Sequence, residues 1–253
     1  MEDIQQNELV FYLPVISGYL VACLVAWRLF LSFDLWGQLK DERPEKPVKE
    51  LIFSLLAVVL IFVIGRFYEA GFLLSSKQYP SAVWIVNNLI IFSPMFLCLW
   101  WRKQHLESVL ISFHAIHKRL SVGLVAAILG VATFLLLRAE GFRWVEVLSR
   151  GIVPKNLANF VAVFLEGMVI AFLFVRLRWV SNLKIALAVP SILFAIGHLP
   201  SMIADGDPWW HMTLMSLVTG TISVFVLFTC CKARDIIWLG IVHYFMDVAI
   251  RAF

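Results

Sequence analysis

Three apolar stretches carry side chains that hydrocarbon cannot satisfy. The run NLANFVAVFLEGMVIAFLFVRLR holds Glu166 near its middle. An acidic residue at the centre of a membrane helix costs about 2.5 to 3.5 kcal/mol, so it tends to face a bundle interior and to mark function. FAIGH sets Phe194 four residues before His198, and HYFMD sets His243 four before Asp247. Residues at that spacing share a helical face. Phe194 can therefore wall the pocket that His198 enters, and Asp247 can orient the His243 ring and select its tautomer. A carboxylate base, with imidazoles as ligands or oxyanion stabilisers, is the equipment of a water-activating hydrolase. Plainer accounts exist for each group. Glu166 can be a protonated contact between helices, His198 a satisfied core residue, and His243 with Asp247 a self-satisfied pair.

The elements that must position these groups are membrane helices. Of 253 residues, 61% are hydrophobic and 15% charged, with a mean hydropathy of +0.88; an average soluble domain carries about 25% charged residues. Eight segments have close to the length a hydrocarbon core demands: 9–32, 50–72, 81–101, 121–138, 157–178, 183–199, 211–230 and 234–252. They predict an all-α, polytopic bundle of about eight transmembrane helices, forming a single membrane domain over residues 1–253. The alternation of a lipid-facing barrel strand is absent. Thirteen lysines and arginines fall in the first, third, fifth and seventh loops against six on the opposite side, which predicts both termini outside. The acidic start, MEDIQQNELV, lacks the basic region of a secretory signal.

Other features have modest readings. Leu106, Val109, Leu110, Phe113, Ile116 and Leu120 line one helical face, which predicts an interfacial helix over 106–120. Cys23, Cys98, Cys230 and Cys231 form neither ligand pairs nor a disulfide framework and read as small buried hydrophobes. Asn87 and Asn88 read as interhelical hydrogen-bonding groups, Arg66 and Glu69 as a local ion pair. His114 and His117 face headgroups, DPWWH (207–211) anchors at the interface, and Arg176 and Arg178 sit at the membrane boundary. No basic, aromatic-interleaved stripe points to nucleic acid.

The order of an intramembrane Glu, FxxxH and HxxxN/D resembles the CPBP family, the CAAX prenyl endopeptidase and bacterial Abi group of intramembrane proteases. Phe194 and His198 match the second motif; His243 and Asp247 match the third. The resemblance covers roughly 145–250, which it implies is the protease core. The family's first motif is a Glu pair followed, after three residues, by Arg; at Glu166-Gly167 this chain has Ala171 in the Arg position. VEVLSRG (145–151) offers Glu146 and Arg150 as a rival, with an ordinary salt bridge as its plain reading. The resemblance implies an endopeptidase in a bacterial inner membrane, acting on a membrane protein or peptide. Glu166 would activate water, His198 would hold it, and His243 and Asp247 would bind water or stabilise the oxyanion. His198, His243 and Asp247 are also the candidate ligands for a divalent metal such as zinc. A catalytically silent scaffold and a proton-coupled transporter stay open beside the protease.

Overall fold

Proline opens three of the long helices. Its missing N–H costs nothing at a first helical position and its fixed φ suits the turn; Pro47, Pro80 and Pro154 stand there. A computed structural model describes residues 2–37, 43–75, 78–138 and 143–252. Its helices are α1 (Glu2–Ser32), α2 (Pro47–Glu69), α3 (Pro80–Trp101), α4 (Ile116–Leu137), α5 (Trp144–Gly151), α6 (Pro154–Val180), α7 (Leu183–Gly197), α8 (Leu199–Asp205), α9 (Trp209–Ala233) and α10 (Ile237–Ile250). Among the described residues there is no strand. Seven spans are long and apolar enough to cross a bilayer, α7 and α8 together forming one of 23 residues. The chain is an integral, multi-pass helical bundle.

The eighth expected span is a correction. Helix α10 has 14 residues, about 21 Å at 1.5 Å per residue, short of the roughly 30 Å hydrocarbon core. Length is not required of it, because neighbouring helices surround it. Trp238, Val242, Met246 and Ala249 are fully buried, and the Tyr244 hydroxyl donates to the Gly151 carbonyl at the end of α5.

The expected interfacial helix over 106–120 is likewise corrected. Leu106–Val109 forms a short 3-10 turn, and residues from Ile116 on belong to α4. Leu110 (φ 58°) and Ala115 (φ 51°) are left-handed and break the run. Val109, Leu110 and Ile111 are drawn into the core, and the Leu110 carbonyl accepts from the Ile236 amide at 2.9 Å. Part of the apolar face therefore packs on protein, while Leu106, Phe113 and Leu120 stay exposed.

Helices α1, α4, α10, α6, α7 and α9 touch in that order and α9 returns to α1, making a closed ring. Helices α2 and α3 pack on the outside of α6. Small residues let the α1–α4 wall close tightly, and in lipid, where the hydrophobic effect draws no helices together, such close packing counts for more. A Cβ added to Gly18 would lie 2.9 Å from the Gly130 carbonyl oxygen, and one on Gly130 would lie 2.9 Å from that of Gly18. The four cysteines are buried free thiols.

Candidate active site

The ring encloses a cavity of about 490 Å³ lined from five of its helices and from α3. Glu166 from α6, Phe194 and His198 from α7, and His243 and Asp247 from α10 all face it. The groups singled out in the sequence thus share one space, although α6 and α10 contribute residues some eighty positions apart.

His198 sits where the sixth span breaks between α7 and α8. Pro200 cannot donate to the Ile196 carbonyl, and the helix yields between α7 and α8. The His198 amide reaches back only to the Ala195 carbonyl at 3.2 Å. Its ring Nδ1 lies 2.8 Å from the Phe194 carbonyl. A carbonyl only accepts, so that bond places the proton on Nδ1 and leaves the Nε2 lone pair available.

His243 and Asp247 form the expected helical pair, Nε2 to Oδ1 at 3.6 Å. That is an electrostatic contact longer than a hydrogen bond. One turn further on, the Arg251 guanidinium lies 3.6 Å from the other Asp247 oxygen. The Phe194 ring is edge-on to both imidazoles, with centroids 4.7 Å from His198 and 6.3 Å from His243. Tyr19 of α1 closes on the other side of His243 at 6.3 Å. Glu166 feels the charges of His243, Asp247 and Arg251, yet no hydrogen bond or ion pair ties it to another described residue. It is not a hydrogen-bonded strut between helices.

Helix α10 is held at its base as well as at its far end. Asp235 is fully buried; its Oδ1 accepts from the Ile237 amide at 3.0 Å, opening the helix, and Arg119 stands 3.7 Å from Oδ2. Arg119 also donates to the His114 and Ala233 carbonyls. Burial pushes the Asp235 carboxyl up to about 6, against the pull of the Ile237 amide and Arg119.

Metal binding finds little here. Among the described residues no group of three or more His, Cys, Asp or Glu side chains is placed to hold a metal ion, so His198, His243 and Asp247 do not form a ready-made ligand set for zinc.

The remaining candidates fall elsewhere. Glu146 bonds Arg150 at 2.6 Å and Arg143 at 2.8 Å on the half-exposed α5 and does not line the cavity. Arg66 and Glu69 pair as expected; His114 and His117 are exposed. Asn87 and Asn88 correct their reading: Asn87 exchanges hydrogen bonds with the Leu74 backbone, and Asn88 donates to Trp84 in its own helix. Arg176, one turn before the end of α6, is fully buried in protein. It donates to Gln104, to Ser108 and to the Phe172 carbonyl, and lies 4.1 Å over the Phe172 ring.

Tyr19, Trp84, Asn159 and Arg251 join the cavity wall, and the sequence reading does not single them out. Two have a signal: Asn159 is two helical turns before Glu166, and Arg251 is one turn after Asp247. Tyr19 and Trp84 come from distant helices and have none. Comparison with family models, with curated proteins and with solved structures finds no match for this chain.

Proposed function

We propose that this protein is an intramembrane endopeptidase of the CPBP kind, hydrolysing a peptide bond in a membrane-associated protein or peptide in a bacterial inner membrane. One observation carries the reading: Glu166, His198, His243 and Asp247, drawn from three helices, line a single cavity inside the bundle. The walls are mostly apolar, but where these four polar groups converge the cavity has both the room and the partners to hold water.

The chemistry follows from the residues. The Glu166 carboxylate removes a proton from water as the oxygen attacks the peptide carbonyl carbon. The carbonyl electron pair moves to its oxygen, and the His243 imidazole, steadied by Asp247, stabilises that oxyanion. The tetrahedral intermediate collapses, its carbon–nitrogen bond breaks, and the proton held by Glu166 passes to the leaving amine. His198 holds the attacking water by accepting its hydrogen bond at Nε2, since its Nδ1 proton is committed to the Phe194 carbonyl. Arg251 keeps the Asp247 carboxylate beside His243.

A second reading has its own support. Ala171 stands where the family carries Arg, and a chain without that cation can serve as a catalytically silent membrane scaffold. Peptide termini from cells carrying wild type or Glu166→Gln, at matched protein levels, separate the two. Termini found only with wild type are the result expected of a protease. Identical termini, with the cellular phenotype intact in the variant, favour the scaffold.

A further inference from the structure

A second cavity, of about 640 Å³, adjoins the first. Its walls are the end of α2, the following connection and the start of α3, including Tyr68, Leu74, Ser75 and Ser81. Asn87 pins that connection to α3 by accepting from the Leu74 amide at 3.2 Å and donating to its carbonyl at 2.9 Å. Trp84, Asn159 and Arg251 belong to both cavities and form the neck between them.

The neck holds hydrogen-bonding capacity that the protein does not use. The Trp84 indole N–H is buried with no acceptor among the described residues, and leaving such a donor unpaired costs about 1 to 3 kcal/mol. The ring cannot simply turn away, because Tyr68 packs edge-on against it at 5.8 Å. Asn159 makes no side-chain hydrogen bond to another described residue. Arg251 is exposed, and 3.6 Å from Asp247 it keeps donors free. A ligand here must accept from an indole N–H and can both accept and donate at the Asn159 amide. An acyl chain has no such groups, and a cation would meet donors and a guanidinium.

We propose that this neck is a subsite for the backbone of an extended polypeptide, with Trp84 donating to a peptide carbonyl and Asn159 pairing with the neighbouring amide. On the endopeptidase reading, that polypeptide is the substrate entering from the α2–α3 side. Asn159 lies seven residues before Glu166 on α6, about 10 Å along the helix. An extended chain rises about 3.4 Å per residue, so the backbone is gripped about three residues from the bond to be cut. Trp84 and Asn159 are then specificity residues outside the reacting groups.

The test uses full-length Glu166→Gln protein in lipid nanodiscs, where binding is read without hydrolysis. N-acetyl-leucine methylamide, the smallest blocked peptide unit, is titrated while the ¹⁵N indole resonance of Trp84 is followed, assigned by its loss in Trp84→Phe. A saturable downfield shift is expected, with at least fivefold weaker binding in Asn159→Leu. Should Trp84→Phe fail to fold, Asn159→Leu alone carries the comparison. No shift, an equal shift with decane, or a shift with acetate but not the blocked peptide overturns the subsite. Where wild type cleaves a substrate, Trp84→Phe should raise KM about tenfold with kcat within twofold; an unchanged KM removes the substrate role. If nothing is cleaved, the endopeptidase reading fails while the binding result still stands.

Discussion

Two polar clusters lie inside this bundle and are built on opposite lines. Around Glu50 nearly every group is answered, the buried Arg176 Nε being the exception. Arg102 bonds its carboxylate through Nε at 3.1 and 3.2 Å and through a terminal nitrogen at 2.5 Å, and Gln104 adds a bond at 2.7 Å. Gln104 and Ser108 then receive the Arg176 guanidinium. This network staples α2, α3 and the segment after α3 to the buried face of α6, leaving no open space. Around Glu166 the contacts are loose: two ion pairs at 3.6 Å, a carboxylate without a hydrogen bond, and about 490 Å³ of room. A buried polar network that satisfies itself supports structure, whereas one left partly unsatisfied around a cavity keeps its capacity for a ligand or for water.

That contrast can be broken from either side. The largest effect is expected at the open cluster: Glu166→Gln should lower cleavage about 1,000-fold, as loss of a general base does. Because it surrenders no hydrogen bond, unfolding in detergent should move by no more than about 0.5 kcal/mol. At the closed cluster the pattern inverts. Glu50→Ala strands the Arg102 guanidinium and the Gln104 amide, and thermal unfolding should register a loss of about 4 kcal/mol.

Asp235, at the base of α10, sharpens the comparison through pH. Its carboxyl rises from 3.8 to about 6 on burial, so the folded protein holds a proton that the unfolded chain releases. The stabilisation is complete below about pH 4 and is lost as pH rises through about 6, amounting to about 3 kcal/mol. Asp235→Asn should flatten that slope in a pH series of unfolding midpoints, and an unchanged slope would assign it to another group. The smallest effect belongs to Glu146. Its pairs with Arg143 and Arg150 are half-exposed, so Glu146→Ala should cost about 0.5 kcal/mol and leave cleavage intact. Loss of cleavage in that variant would move the first motif to α5.

Local pairs are legible in the residue spacing alone. His243 with Asp247, Arg66 with Glu69 and Glu146 with Arg150 sit three or four residues apart, and a helix makes neighbours of such residues wherever it packs. Sequence reasoning misses the partners of Asn87 and Arg176, Leu74 and Gln104, because they depend on where a connection folds back. The apolar face of 106–120 is real, but periodicity tells that a face is buried and not whether lipid or protein buries it.

By itself, the sequence determined that this chain enters a bilayer as helices, since hydrocarbon admits apolar residues and demands internally bonded backbone. It also determined which polar residues would be costly there, and which of them share a helical face. Only the tertiary structure decided that Glu166 stands in one cavity with His198, His243 and Asp247, that Tyr19 and Trp84 complete its walls, and that α10 stops short inside the ring. Those outcomes depend on which helices touch, and helix contact is set by close packing of small residues such as Gly18 and Gly130 across the whole bundle.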